Sequence, residues 1–279
     1  MAARAFRFRE PSALPGFGLA FGVMMTMLSI IVIIPIAALI LRGADVGLSE
    51  IWRIANTRRV WNALVLSFTV SLHAAVFNLV FGVALAWVLV RYRFWGRRIV
   101  DAAVDLPFAL PTAVAGIALT AIYVPQGWFG QFLVPMGLQV AYAKAGIFIA
   151  LVFVGLPFVV RTVQPVLEEV EREVEEVSAT LGAGRLRTFV QVILPALLPA
   201  ALTGFALALA RAVGEYGSVI FIAGNLPNRT EIAPLLIVIR LEEFNYDGAV
   251  AIAIAMLAIS FTMLLVINLI QVWSRNRYG

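Results

Sequence analysis

QPVLEEVEREVEEVSATLGAGRLRTFVQVILPALLP, Gln164 to Pro199, is the one strongly polar block in a chain that is otherwise mostly hydrocarbon. Within it Val170, Val174, Val177 and Leu181 recur at steps of four, three and four, the spacing of one face of an α-helix. The block holds six glutamates; four of them, with Arg172, lie between these apolar residues. Gly182 breaks this helix, because glycine enters the left-handed C′ conformation without steric cost. A second short amphipathic piece, Arg185 to Leu194, is expected to end at Pro195. Set between two apolar spans, such a helix–glycine–helix block reads as a docking device at the membrane surface. Its apolar stripe would anchor it, Gly182 and Ala183 would permit close backbone approach, and its acidic groups would offer surface pairing.

The composition of the rest sets the class. The chain has 279 residues, 62% hydrophobic and 13% charged, and a mean hydropathy of +0.96. A soluble domain carries about 25% charged residues, so this is a polytopic membrane protein. Cysteine is absent and His73 is the only histidine, which excludes disulfides, thiolate metal sites, thiol catalysis and histidine metal clusters. The formal charge of +5 comes from arginines scattered over loops; it is a topology signal and gives a nucleic-acid partner no support. Arg4, Arg7 and Arg9 precede an apolar run from Phe17 to Leu41. That run exceeds a signal-peptide core of about 7–15 residues and reads as a retained first span.

Six spans of near-bilayer length follow: Phe17–Leu41, Trp61–Val90, Ala102–Val124, Ala145–Gln164, Leu197–Ile222 and Ala249–Trp273. With both termini in the cytoplasm the inner segments hold Arg4, Arg7, Arg9, Arg91, Arg93, Arg97, Arg98, Arg161, Arg172, Arg185, Arg187, Arg275 and Arg277. The outer segments hold Arg42, Arg53, Arg58, Arg59, Lys144, Arg229 and Arg240, leaving Arg211 inside a span. Thirteen against seven favours that orientation, although four arginines in the first outer loop run against it. Outside, Ser49 is placed to cap a helix from Glu50 into Trp61, and Trp128 and Phe129 suit an interfacial belt. One domain covers residues 1–279, with a cytoplasmic loop over about 165–196.

The polar block also carries a motif. Glu176-Val177-Ser178, then Gly182, then Val192-x-Leu194-Pro195 resembles the EAA loop of ABC-importer permeases, written E-A-A, three residues, G, nine residues, I-x-L-P. Val177 and Ser178 stand for the two alanines and Val192 for isoleucine. Longer stretches narrow the resemblance: Asp105–Leu119, Pro157–Glu169, Arg211–Asn225 and Thr230–Ile237 are similar to the CysT type of sulfate/thiosulfate permease. The resemblance implies an all-α integral membrane protein with six transmembrane helices in the type I (MetI-like) fold. It also implies that Glu176, Ser178, Gly182, Ala183, Leu194 and Pro195 couple to an ATPase. The implied partners are a second permease of the CysW type, two ATPase copies carrying ATP and Mg, a periplasmic sulfate/thiosulfate-binding protein, and the bilayer. Molybdate permeases share much of this architecture, so molybdate or tungstate stays open as cargo.

Arg211 and Glu215 lie four residues apart on one face of the fifth span. Each costs about 2.5–3.5 kcal/mol at a helix centre on the insertion scale, so they face a partner helix or a watery cavity. Arg211 then offsets the charge of a passing oxyanion while Glu215 holds it, or the two form a structural ion pair. Tyr216, Ser218 and Asn225 can donate to a sulfate oxygen, or simply belong to tight helix packing. Pro107, Pro111, Thr112 and Gly116 mark a bent third span, a gate element or a repaired kink. His73 and Asn78 read as interhelical hydrogen-bonding groups. A Walker A loop needs Gly-Lys, and the only lysine, Lys144, follows Ala143; the chain carries no such ATP site. An ion-coupled transporter would need buried carboxylates, for which Asp101, Asp105 and Glu215 are thin support. No constellation supports a membrane-bound enzyme.

Overall fold

A computed structural model of the chain describes residues 16–278, and every element in that range is helical. Arg4, Arg7 and Arg9 lie outside the described residues. α1 spans Phe17–Val46 and α2 spans Leu48–Ala55. α3 is Arg58–Arg91, followed by α4 (Arg97–Val104), α5 (Leu106–Ala109), α6 (Thr112–Tyr123) and α7 (Gly130–Leu133). α8 is Lys144–Glu169, α9 is Arg172–Thr180 and α10 is Arg185–Val213. α11 (Val219–Ile222), α12 (Ala233–Glu242) and α13 (Tyr246–Tyr278) complete the chain.

Five of these helices are long and apolar enough to cross a membrane: α1, α3, α8, α10 and the Tyr246–Val272 part of α13. The expected third span is present as three pieces, α4, α5 and α6. Pro107 starts α5 in its first turn, and Pro111 forces Leu110 into an extended conformation (ψ 133°) before α6 begins. The fifth span also ends earlier than expected. α10 stops at Val213, and Glu215 lies beyond its end.

Two expectations about helix ends are corrected. Pro195 does not end the Arg185–Leu194 piece, because a π-helical turn, Phe189–Ile193, precedes it. Leu194 N–H reaches the carbonyl of Phe189, five residues back, and this wider turn accommodates the missing proline N–H at Gln191. The same device carries α1 past Pro35, where Ser29–Ile33 is π-helical. Nor does Ser49 cap a helix running into Trp61. α2 begins at Leu48 and stops at Ala55, where the side chains of Asn56 and Thr57 take the carbonyls of Trp52 and Ile54 at 2.9 and 2.7 Å.

The core is the triple contact of α3, α8 and α10. Val83, Ala86 and Leu89 of α3, Val159, Val163 and Leu167 of α8, and Ile193, Leu197 and Ala201 of α10 form its lower half. Gly82 and Gly204 both meet Val159, where an added Cβ would stand 2.8 Å from Val159 atoms; small residues let these backbones close up without lipid between them. Toward the other end Leu66, Ala74, Ile147, Leu151, Val219 and Ile222 pack together. α1 is wholly unburied across its most apolar window, as a lipid-facing helix is. At that end Arg59 forks onto buried Glu231 at 2.7 and 2.8 Å, tying the loop before α12 to α3. On α2, Arg53 hydrogen-bonds Glu50 and holds its carboxyl below the ordinary range.

Candidate functional site

The polar block forms a short helix, α9, capped as its sequence implies. Gly182 has φ 81°. Its N–H donates to the carbonyl of Ala179, and the N–H of Ala183 donates to that of Ser178, both at 3.0 Å. This pair of bonds is a complete Schellman motif, so Ser178, Gly182 and Ala183 are explained as one device. The stripe behaves otherwise than expected. Val174 and Val177 are exposed, Leu181 is 83% exposed, and Leu186 beyond the glycine is 78% exposed. Among the described residues the stripe therefore anchors nothing; it is an open apolar strip bordered by exposed Glu173 and Glu176, with Arg185 and Arg187 past the turn. Leu194 and Pro195 are half-buried at the start of the long straight part of α10.

What holds α9 is Arg91, at the end of α3. It donates to the carbonyl of Val170 at 2.8 Å and pairs with Glu175 at 2.8 Å. Its guanidinium lies 5.7 Å from the Trp87 ring, and that ring meets Phe189 edge to face at 5.4 Å. This explains why Val170, expected inside the amphipathic helix, instead ends α8, with Glu171 as the N-cap of α9. The charge count treats Arg91 only as a topology signal. Its role as a clasp appears only when residues eighty positions apart in sequence meet.

The second candidate region is the break after α10. Arg211 and Glu215 do form an ion pair. The Glu215 side chain is 2% exposed, and its Oε1 accepts both the N–H and the hydroxyl of Ser218 at 2.8 Å. The carboxylate thus closes the break and starts α11, which favours the structural reading of the pair. Ser218 spends its hydroxyl proton on Glu215, and Asn225 donates to the carbonyl of Ile220 at 2.8 Å. Tyr216 is half-buried against the apolar cluster around Val219. Thr112 comes to the same place: a Cβ on Gly217 would stand 2.2 Å from Thr112 Oγ1, and one on Gly116 would stand 2.4 Å from the Ser218 carbonyl oxygen. The beginning of α6 and the 214–218 break are therefore fitted backbone to backbone. Beside Glu215 a cavity of about 10 Å³ is bounded by Ser67, Ser71 and Ile232, room for one water and too little for a tetrahedral oxyanion. Along α10 the strip Thr203, Leu207, Ala210 and Gly214 stays uncovered, next to Arg211.

Other polar residues of the spans are placed differently than expected. His73 Nδ1 lies 2.6 Å from the Thr69 carbonyl of its own helix. Asn78 is buried against Gly155, and neither amide atom has a hydrogen-bond partner among the described residues. Neither makes an interhelical hydrogen bond. Asp101 and Asp105 both bind Arg161, at 2.7–2.8 Å, so the carboxylates an ion-coupled mechanism would draw on are already engaged.

Residues 78–279 match the family model for the binding-protein-dependent transport system inner membrane component. The chain belongs to this family. As an inner membrane component it is a transport subunit, and its multi-pass helical fold and its EAA-type block are those of an ABC-importer permease. Among curated relatives, the sulfate transport system permease protein CysT of Synechocystis is 49% identical over 91% of this chain and 89% of its own length. The Escherichia coli protein of the same name is 45% identical over 98% of each. Among solved structures, a chain of a bacterial alginate ABC transporter, in complex with an alginate-bound periplasmic protein, superposes with a TM-score of 0.74. That match is at 16% identity, over 90% of this chain and 93% of that one. A chain of the MetNI methionine ABC transporter, inward facing, gives 0.54 at 20% identity over 78% of this chain and 94% of that one. Both likenesses are of fold.

Proposed function

We propose that the chain is a permease subunit of an ATP-driven sulfate/thiosulfate importer, with both termini in the cytoplasm. The observation that carries the cargo is identity of 45–50% to sulfate permeases over nearly the whole chain, the path-lining region included. The observation that supports the coupling is the open strip Val174, Val177, Leu181 and Leu186 around a Schellman turn. Buried in a groove of an ATPase, that strip gains about 25 cal/mol per Å² of apolar surface. Two ATPase copies bind ATP and Mg; their closure displaces α9, and the bundle rocks between outward- and inward-facing states. The uncovered face of α10 beside Arg211 packs on a second permease of the CysW type. The anion path lies between the two subunits, since the space beside Glu215 admits no oxyanion. A periplasmic binding protein supplies the affinity. In this reading Arg211 and Thr112 face the path from its edge, while Glu215, Tyr216 and Ser218 set their geometry.

The test is uptake of labelled sulfate by cells carrying the full complex, in competition with thiosulfate and with molybdate. Thiosulfate competing at concentrations similar to sulfate, and molybdate only in large excess, is the expected result. Preferential competition by molybdate would replace the cargo and leave the coupling reading intact.

A further inference from the structure

Arg161, the partner of Asp101 and Asp105, carries five hydrogen bonds in the lower half of the described residues, and no step of the proposed coupling yet uses it. All five of its N–H donors are bound. Nε donates to Asp105 Oδ1 at 2.8 Å, and Nη2 donates to Asp105 Oδ2 at 2.7 Å and to the Asp101 carbonyl at 2.8 Å. Nη1 donates to Asp101 Oδ1 at 2.7 Å and to Gln164 Oε1 at 2.6 Å. The carboxylates belong to α4 and the α4–α5 junction, so one planar group fastens α8 to the broken third span. The fork on Asp105 is bidentate, the arrangement that fixes angle as well as distance.

The place of this clamp matters as much as its saturation. Pro165 lies inside α8 and has no N–H to give the carbonyl of Arg161, four residues before it. α8 is therefore short of one backbone bond across the Arg161–Pro165 turn, immediately below the clamp. Beyond Pro165 only Val166–Glu169 separate this turn from the Val170–Glu171 connection to α9. Above the clamp, α4 and α5 lead through Leu110 and Pro111 to Thr112, which is fitted against Gly217 of the break.

We infer that Arg161 is the positioning residue that transmits movement of the α9 lever to the α6–Gly217 contact, through its simultaneous hold on Asp101 and Asp105. The inference rests on the proposed coupling of α9 to an ATPase. When α9 is displaced, the loosened Arg161–Pro165 turn of α8 shifts with it and carries the Arg161 side chain along. A five-point clamp obliges α4 and α5 to follow as one body, where a single bond would let them slip. A structural brace alone would make transport and hydrolysis fail together. A transmitting joint, once loosened, lets the motor run without moving cargo, so the discriminating quantity is ATP hydrolysed per sulfate imported.

The experiment reconstitutes the full complex with its binding protein in liposomes and measures both rates. Arg161→Lys keeps the charge but offers three donors on a point-like head, too few to span both carboxylates, the carbonyl and Gln164. Asp105→Asn is the milder variant, keeping one acceptor of the fork. The expected result is that hydrolysis stays within about twofold of the parent while ATP per sulfate rises about fivefold or more, the lower end of coupling strengths between sites. Asp105→Asn should show a smaller rise in the same ratio. An unchanged ratio in Arg161→Lys overturns the inference, whether both rates fall together or neither moves. If Arg161→Lys does not assemble, an unchanged ratio in Asp105→Asn overturns it equally. A parent complex without any ATPase activity would instead overturn the coupling reading on which this rests.

Discussion

Gly182 sits at φ 81° with no heavy atom within 4 Å of where a Cβ would point. Space is not what selects glycine there; the left-handed backbone is. A β-branched residue in that conformation costs about 1–2 kcal/mol, which is roughly tenfold in the population of the capped turn. Gly182→Val should leave the spans folded and the complex expressed, and lower uptake by about that factor. Gly182→Asn should keep most of the uptake, because asparagine tolerates the left-handed region. Equal loss in both variants would move the requirement from backbone to space, created by a partner pressing on the turn. Arg211 poses a different question at the same scale. Arg211→Ala leaves the Glu215 carboxylate, 2% exposed, without its cation. Breaking a fully buried pair costs about 3–5 kcal/mol, and the partial exposure of Arg211 reduces this to about 2–3 kcal/mol. The single variant should lower the apparent melting temperature at a fixed scan rate. Adding Glu215→Gln should restore much of it, since the amide oxygen still accepts from Ser218. A parent-like melt for Arg211→Ala would mean the pair is dispensable to the fold, and would return Arg211 to the anion.

Between elements, the contact of α6 with the break after α10 is set by two missing side chains. At Gly217 an added Cβ meets Thr112 Oγ1 at 2.2 Å, an overpacking worth about 1–3 kcal/mol. Gly217→Ala should therefore destabilise the complex, and Thr112→Ala in the same chain should relieve it. Thermal denaturation of the four members of that cycle should give a coupling of about 1 kcal/mol or more; simple additivity would show that the two elements do not press on each other. The elements differ in how far the sequence alone foretells them. The four-three-four spacing of Val170, Val174, Val177 and Leu181 and the glycine after it find α9 and its C-terminal turn, because both are local. The start of α9 is not local: Arg91 takes the carbonyl of Val170, so the periodic pattern begins two residues before the helix does. Pro195 reads as a stop because a proline breaks an α-helical ladder, and the π turn that absorbs it has no composition of its own. Leu197–Ile222 reads as one span because hydropathy is continuous across it. The break depends on the Glu215 carboxylate capturing Ser218, a side-chain choice that periodicity does not register. In the EAA-type block, Ser178, Gly182 and Ala183 fall in one local turn; of the two readings the sequence leaves open for Ser218 and Asn225, their hydrogen bonds to Glu215 and to the Ile220 carbonyl favour packing.

At the scale of the whole molecule, coupling to an ATPase requires α9 to lie on the cytoplasmic face of the bilayer. Two of the four arginines in the first outer loop are committed to structure, Arg53 on Glu50 and Arg59 on Glu231, so their presence there reflects the folded contacts of α2 and α3. The arginine bias acts on short loops near helix ends irrespective of carboxylates, and on that measure we propose that the end bearing Arg91, Arg93, Arg97, Arg98, Arg172, Arg185 and Arg187 faces the cytoplasm. The absence of cysteine in the chain makes the test direct. Leu186→Cys places a thiol beside the Schellman turn, 78% exposed in the parent side chain, and Trp128→Cys places one at the opposite end, 79% exposed. In intact spheroplasts a membrane-impermeant maleimide should label Trp128→Cys and leave Leu186→Cys untouched until the membrane is opened. Once it is opened, Leu186→Cys should label in the permease alone and be protected in the full complex, because a strip this apolar is covered when its partner is seated. Labelling of Leu186→Cys from outside would put α9 on the wrong side for any nucleotide-driven partner, and equal labelling with and without the ATPase would place the docking surface elsewhere.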